Sequence, residues 1–143
     1  MKFSDAAETA CYCTTFRKAA RELTALYDAA LEPAGLRVTQ YSLLKNLQRL
    51  GPVSILRLCD ALRLDRTTLV RNLKLLEKRG LTHSDTFPAS KAHIVVLTEK
   101  GERLLSEAAP LWLKAQTEVH KNFSGEERLS LQGFLRRLET VAL

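Results

Sequence analysis

A chain of 143 residues with 45% hydrophobic and 27% charged residues has the make-up of one folded unit, which excludes a disordered polyelectrolyte and leaves no room for a separate catalytic domain. Its 22 Lys and Arg outnumber 16 Asp and Glu, a net charge of +6 that favours a polyanionic partner such as nucleic acid or an anionic membrane surface. No apolar run reaches the roughly 18 residues that span a bilayer, and Met1-Lys2-Phe3-Ser4-Asp5 lacks the basic-then-apolar layout of a signal peptide. Three cysteines in no framework spacing argue against an oxidised scaffold, so the expected address is the cytoplasm.

Helical periodicity dominates the chain. From Asp5 to about Leu31 apolar residues recur at helical spacing (Phe16, Ala19, Ala20, Leu23, Leu26, Tyr27, Ala30), and Pro33 with Gly35 ends the run. Thr39 is placed to cap a second helix carrying Leu43, Leu44, Leu47 and Leu50, which Gly51-Pro52 stops. Ser54 is placed to cap a short third helix with inner face Ile55, Leu58, Cys59 and Leu62. After Arg63 and Leu64, Asp65 caps a fourth that runs to Arg79 and ends at Gly80, with Leu69, Leu73 and Leu76 as its inward stripe. His83 to Phe87 reads as short and turn-like. Ala92 to Leu97 holds the β-branched run Ile94-Val95-Val96; paired with Leu81 to Asp85 across the loop 87–91, it makes a hairpin, or wing. Thr98 caps a long helix from Glu99 to about Asn122, which Pro110 should bend or divide. Ser124 and Glu127 form a capping box for a last helix through Leu138.

The excess charge is concentrated. Residues 54–79 hold seven Lys and Arg (Arg57, Arg63, Arg66, Arg71, Lys74, Lys78, Arg79) against Asp60, Asp65 and Glu77, a net +4, whereas residues 80–98 and 99–143 each cancel. A tight pair of helices can lay its second member in the DNA major groove, with residues near that helix's start at base edges and neighbouring cations on phosphates. Arg66, Thr67, Thr68, Arg71 and Asn72 fall on the outer face: Arg can grip guanine, Asn adenine, and Thr can offer a hydroxyl or a methyl. A solvated basic helix face is the plain alternative, and the hairpin that follows tips the balance to DNA.

These residues resemble a known family. Leu36-Arg37-Val38-Thr39-Gln40-Tyr41, Gly51-Pro52-Val53-Ser54, Leu64-Asp65-Arg66-Thr67-Thr68-Leu69-Val70-Arg71-Asn72-Leu73, Leu76-Glu77-Lys78-Arg79-Gly80-Leu81 and Leu97-Thr98-Glu99-Lys100-Gly101 are together similar to the MarR family of bacterial and archaeal regulators, over about Ala10 to Leu138. The fold so implied is mainly α with a small β-hairpin wing, one domain over 1–143. A winged helix-turn-helix lobe at 39–98 is flanked by dimerisation helices at 1–32 and 99–143. The resemblance further implies an obligate homodimer with interlocking first, fifth and sixth helices, two lobes on the halves of a pseudo-palindromic operator, and repression relieved by a small molecule or oxidant. It agrees with a last helix too apolar to stand exposed, with Leu129, Leu131, Phe134, Leu135 and Leu138. The residues assigned to DNA are Ser54, Arg63, Arg66, Thr67, Thr68, Arg71, Asn72, Lys74, Lys78 and Lys91. One departure concerns the wing: the family's Asp-x-Arg tip is here Pro88-Ala89-Ser90-Lys91, and lysine lacks the planar fork of arginine, which shifts specificity toward Arg66 to Asn72.

Cys13 lies where it is similar to the peroxidatic cysteine of the family's organic-hydroperoxide-sensing branch, with Arg17 replacing a tyrosine of that branch. It is the first redox candidate and Cys11 the second, against a plain reading of all three cysteines as small buried hydrophobes. Within a helix, residues two apart point to nearly opposite sides, so Cys11 and Cys13 do not bridge each other there. The resemblance also implies a ligand pocket between the first, second and fifth helices, with Tyr12, Phe16, Tyr41 and Trp112 as aromatic candidates. His83, His93 and His120 have no paired ligand spacing with the cysteines, so neither metal nor cofactor is expected. There is no phosphate-binding glycine loop, nucleophile elbow, metal-hydrolase helix or paired-carboxylate constellation, and an enzyme is not expected. The rival reading is a winged helix that binds protein instead of DNA.

Overall fold

The order of elements follows from where the chain can and cannot continue a helix. A computed structural model describes residues 10–87 and 92–142. Helix α1 (Tyr12–Leu31) leads through a short 3-10 turn (Glu32–Ala34) to α2 (Val38–Leu50), and a two-residue strand β1 (Val53–Ser54) opens onto α3 (Ile55–Leu62). Then come α4 (Arg66–Lys78), β2 (Thr82–Phe87), β3 (Ala92–Leu97), α5 (Glu99–His120) and α6 (Gly125–Leu138).

Four of the expected caps are present. Ser54 accepts from the N–H of Arg57 at 3.2 Å, Asp65 from Thr68 at 3.0 Å, and Thr98 from Gly101 at 3.1 Å. Ser124 and Glu127 form the reciprocal box at 3.2 and 3.0 Å. The second helix departs from expectation. It begins at Val38, not after Thr39, because the Val38 N–H donates 2.7 Å to Asp28 Oδ1 of α1 and the Arg37 N–H to Gln40 Oε1 at 3.0 Å. The cap thus comes from another helix, outside the reach of local pattern. Among the described residues α1 starts at Tyr12, since Cys11 is extended (φ −69°, ψ 114°).

Helix α4 ends in a Schellman turn: the Gly80 N–H donates to Glu77 O at 2.9 Å and the Leu81 N–H to Leu76 O at 3.0 Å, with Gly80 at φ +73°. Residues 83–87, expected to be turn-like, continue β2 to Phe87 in antiparallel register, with His83 opposite Val96 and Asp85 opposite Ile94. The sheet has the order β1-β3-β2, so β1, unforeseen from the sequence, makes the hairpin three-stranded through Val53 opposite Val95. Helix α5 is continuous through Pro110. That ring and Ser106, whose carbonyl loses its i+4 donor, both lie on an exposed side where water can replace the bond.

The core sits in the lobe and under the start of α5. Leu44, Leu58, Leu69, Leu76 and Val95 are fully buried there, joined by Leu31 from α1 and Leu105 and Ala108 from α5. Gly101 permits this junction: a Cβ there would come within 2.4 Å of the Leu81 carbonyl oxygen and 2.5 Å of Leu97 Cδ1. At the other end Trp112 of α5 stacks on Tyr41 of α2, centroids 5.9 Å apart, and meets Tyr27 of α1, whose hydroxyl donates to Gln116 Oε1. By contrast α6 buries no residue in the protomer.

Candidate nucleic-acid interface

Two short helices build the candidate surface. Helix α3 buries Ile55, Leu58 and Cys59, turns at Arg63 and Leu64, and hands the chain to α4, which buries Leu69, Leu73 and Leu76 at 0, 3 and 0% exposure. With that stripe fixed inward, the opposite side of a 3.6-residue helix must be Thr67, Arg71, Lys74 and Lys78, and all four are exposed together with Arg66. Arg66, Thr67, Arg71 and Lys74 share one shallow groove with Val70; Arg71, Lys74 and Lys78 share the next with Leu75 and Glu77. Thr68 and Asn72 are half-buried at the flank. Thr68 is already engaged: its hydroxyl donates 2.6 Å to Asp65 Oδ1 while its N–H caps the helix on Oδ2. These bonds from Thr68 hold the Asp65 carboxyl below its ordinary range.

Ser54 is half-buried, with its hydroxyl serving the α3 cap. Arg63 occupies the turn between the helices in the left-handed region, φ +54°, unusual for a residue with a Cβ. Its guanidinium stands 3.6 Å from Glu139 at the end of α6. Lys91 lies outside the described residues. Two features were not read from the sequence as they stand here. Arg79, one of the seven cations counted in residues 54–79, is half-buried and donates 2.9 Å to the Gly35 carbonyl, tying α4 to the turn after α1. The exposed Leu75 of α4 lines the same groove as Arg71, Lys74 and Lys78, an apolar residue that the charge pattern does not single out.

The aromatic candidates do not come together. Tyr41 and Trp112 stack within the core and burial pushes the Tyr41 phenol up, whereas Tyr12 and Phe16 lie along the first turns of α1, 74 and 40% exposed. Eleven residues, about 16 Å of helix, separate Phe16 from Tyr27, the α1 residue that does reach Trp112. A cleft of about 500 Å³ opens instead beside Asp28, Glu32, Arg37, Gln40 and Arg79, where α1 hands over to α2. The cysteines also divide: Cys59 is buried, Cys11 and Cys13 are exposed. The side-chain and backbone hydrogen bonds of Thr14 hold the Cys11 thiol below its ordinary value. Among the described residues no three His, Cys, Asp or Glu form a metal-holding group, and no helix is long and apolar enough to cross a membrane.

The family described as "Winged helix DNA-binding domain" matches residues 36–101. Among solved structures the chain is similar to the M. tuberculosis transcriptional regulator MosR in complex with DNA, at 32% identity and TM-score 0.81, over 94% of this chain and 100% of that one. It shares its fold with MarR of E. coli, solved as a mutant complexed with operator DNA (21% identity, TM-score 0.84, covering 94 and 99%). The same holds for Bordetella bronchiseptica BpsR, solved to explain regulation of its DNA binding by 6-hydroxynicotinic acid (21%, 0.84, covering 99% of each). The lobe, the hairpin and the long flanking helices are thus common to all four chains.

Proposed function

Because the chain belongs to the MarR family of transcription regulators, we propose that it binds a pseudo-palindromic DNA operator as a homodimer, represses the genes beside it, and is released by a small molecule or an oxidant. One observation carries this reading: α4 presents Arg66, Thr67, Arg71, Lys74 and Lys78 together on the side opposite its buried leucines, next to the hairpin. Arg66, Thr67 and Arg71, near the helix start, read base edges in the major groove, with Asn72 and Thr68 at the flank. Lys74 and Lys78, further along, together with Arg63 and Ser54 at the ends of α3, neutralise or hydrogen-bond phosphates. A protein-binding winged helix gives no account of so many exposed cations on one helix.

The dimer rests on α6 and on the exposed side of α1, where Leu23, Leu26, Leu129, Phe134, Leu135 and Leu138 remain uncovered in the protomer. For the oxidant arm the candidates are Cys13 first and Cys11 second, both exposed near the start of α1. The address that goes with this work is the cytoplasm.

The test is a titration by fluorescence anisotropy, at two salt concentrations, onto DNA from just upstream of the protein's own gene and onto scrambled DNA of equal length. The expected preference for the upstream duplex is about a thousandfold, saturating at one dimer per site. Equal, salt-erased binding to both duplexes would overturn specific readout, and no binding at low salt would return the protein-binding reading to first place.

A further inference from the structure

The recognition helix carries one acid on an otherwise basic surface. Its charged residues are Arg66, Arg71, Lys74, Glu77 and Lys78, and Glu77 is exposed among them. A carboxylate there repels phosphate, so its other contacts decide what it does. Glu77 Oε1 accepts the backbone N–H of Ser84 at 3.3 Å and lies 3.8 Å from His83 Nδ1. His83 Nε2 in turn stands 2.9 Å from Asp85 Oδ1, so the imidazole is flanked by a carboxylate of α4 and one of β2. Strand β2 is an edge member of the sheet, and N–H groups along its free edge have no strand partner. That of Ser84 is taken up by the helix. The cleft dividing α4 from the hairpin, about 220 Å³, is lined on the α4 side by Arg66, Lys74 and Glu77 among apolar neighbours and across from them by Ser84 and His93. Glu77 is the one hydrogen-bond-accepting side chain of α4 among the described residues that line it.

We propose that Glu77 is a positioning residue for DNA recognition. By holding the free edge of β2, with His83 against it, the carboxylate sets the angle at which the wing strands stand to α4. It thereby sets which sequences the helix and wing can contact together. This inference rests on the DNA reading above. It answers a question that reading leaves open, namely why a carboxylate is kept in the middle of a phosphate-binding surface. A bare negative charge and a strut predict opposite outcomes when the carboxylate is removed. Without the charge every duplex binds more tightly; without the strut the right duplex loses its advantage over the wrong one.

The experiment uses the full chain with Glu77→Ala and Glu77→Gln, titrated onto upstream and scrambled DNA, with amide exchange at Ser84 followed by NMR. Glu77→Ala should cut the preference for upstream DNA by about tenfold, the scale of one charge-assisted hydrogen bond, while scrambled DNA binds as well as before or better. Glu77→Gln keeps an acceptor for the Ser84 N–H and should restore most of the preference. Ser84 should exchange fast in the alanine variant and slowly in the other two proteins. The proposal is overturned if Glu77→Ala tightens binding to both duplexes alike, if glutamine is no better than alanine, or if Ser84 exchange is unchanged. A wild-type protein with no preference for upstream DNA overturns the DNA reading and this role with it, and the exchange rate then still reports whether the carboxylate holds the strand.

Discussion

The recognition helix α4 and the last helix α6 carry four leucines each and treat most of them in opposite ways. In α4 the leucines at positions 69, 73 and 76 close on the core at 0, 3 and 0% exposure. In α6 nothing is buried, and Phe134, Leu135 and Leu138 stand 52, 41 and 45% exposed beside Arg136 and Arg137. Both helices have a sound cap and an apolar face, so local helix signals do not separate them. What separates them is whether the same chain supplies the other half of the packing. The lobe is an answer complete in one protomer; α6 is half of one, and its missing half is expected from a second copy.

The comparison breaks most visibly at α6. Leu135→Glu leaves the protomer's own core untouched, yet it should weaken the dimer by about 4 kcal/mol or more, since an interface anchor worth roughly 2 kcal/mol is counted twice across a twofold axis. Sedimentation velocity would show monomer where the wild type shows dimer, and operator affinity would fall with it. An unchanged dimer would mean that α6 is merely a solvated face. In the lobe the mirror experiment is Leu69→Ala. It should cost about 2–5 kcal/mol of stability in denaturant unfolding with the dimer contacts intact, because a fully buried leucine leaves a cavity behind. If Leu69→Ala dissociated the dimer before unfolding the lobe, the two regions would not be as separate as their burial suggests.

A sharper division runs along α4 itself. Arg71→Ala should lose about 1–3 kcal/mol on the operator and little on scrambled DNA, whereas Lys78→Ala should weaken both alike and reduce the salt slope by about one unit. Equal losses on both duplexes for Arg71 would place it on phosphate rather than base.

How far the sequence carries depends on how far a residue reaches. The caps at Ser54, Asp65, Thr98 and Ser124 are legible because acceptor and donor lie within three residues, and the inward stripe of α4 because its period is local. The cap that starts α2 is not, since Asp28 reaches Val38 from another helix. Nor is β1, two residues whose pairing with Val95 and Ile94 lies some forty residues away. Among the seven cations of residues 54–79, charge alone could not tell Arg79, bound to the Gly35 carbonyl, from the exposed Arg71. The family resemblance likewise grouped Tyr12 and Phe16 with Tyr41 and Trp112, whereas along α1 it is Tyr27, not Phe16, that meets Trp112.

The smallest effect tests whether the recognition helix is held at its start by the same residue that the sequence nominates. Thr68 donates to both oxygens of the Asp65 carboxylate, through its hydroxyl and its N–H, and those bonds favour the charged form. The folded carboxyl therefore titrates below its unfolded value of about 3.9. For a group shifted in that direction the stabilisation is complete above the unfolded value and is lost as pH falls through the folded one. The stability gap between the wild type and Asp65→Ala, followed by thermal unfolding, should be flat from neutral pH down to about 5 and close progressively below about 4. Asp65→Asn, which caps through a neutral oxygen and does not titrate, should keep a smaller advantage over Asp65→Ala that does not change with pH. A gap that stayed constant down to the acid limit would show that the charge contributes nothing and that any acceptor at this position holds α4 equally well.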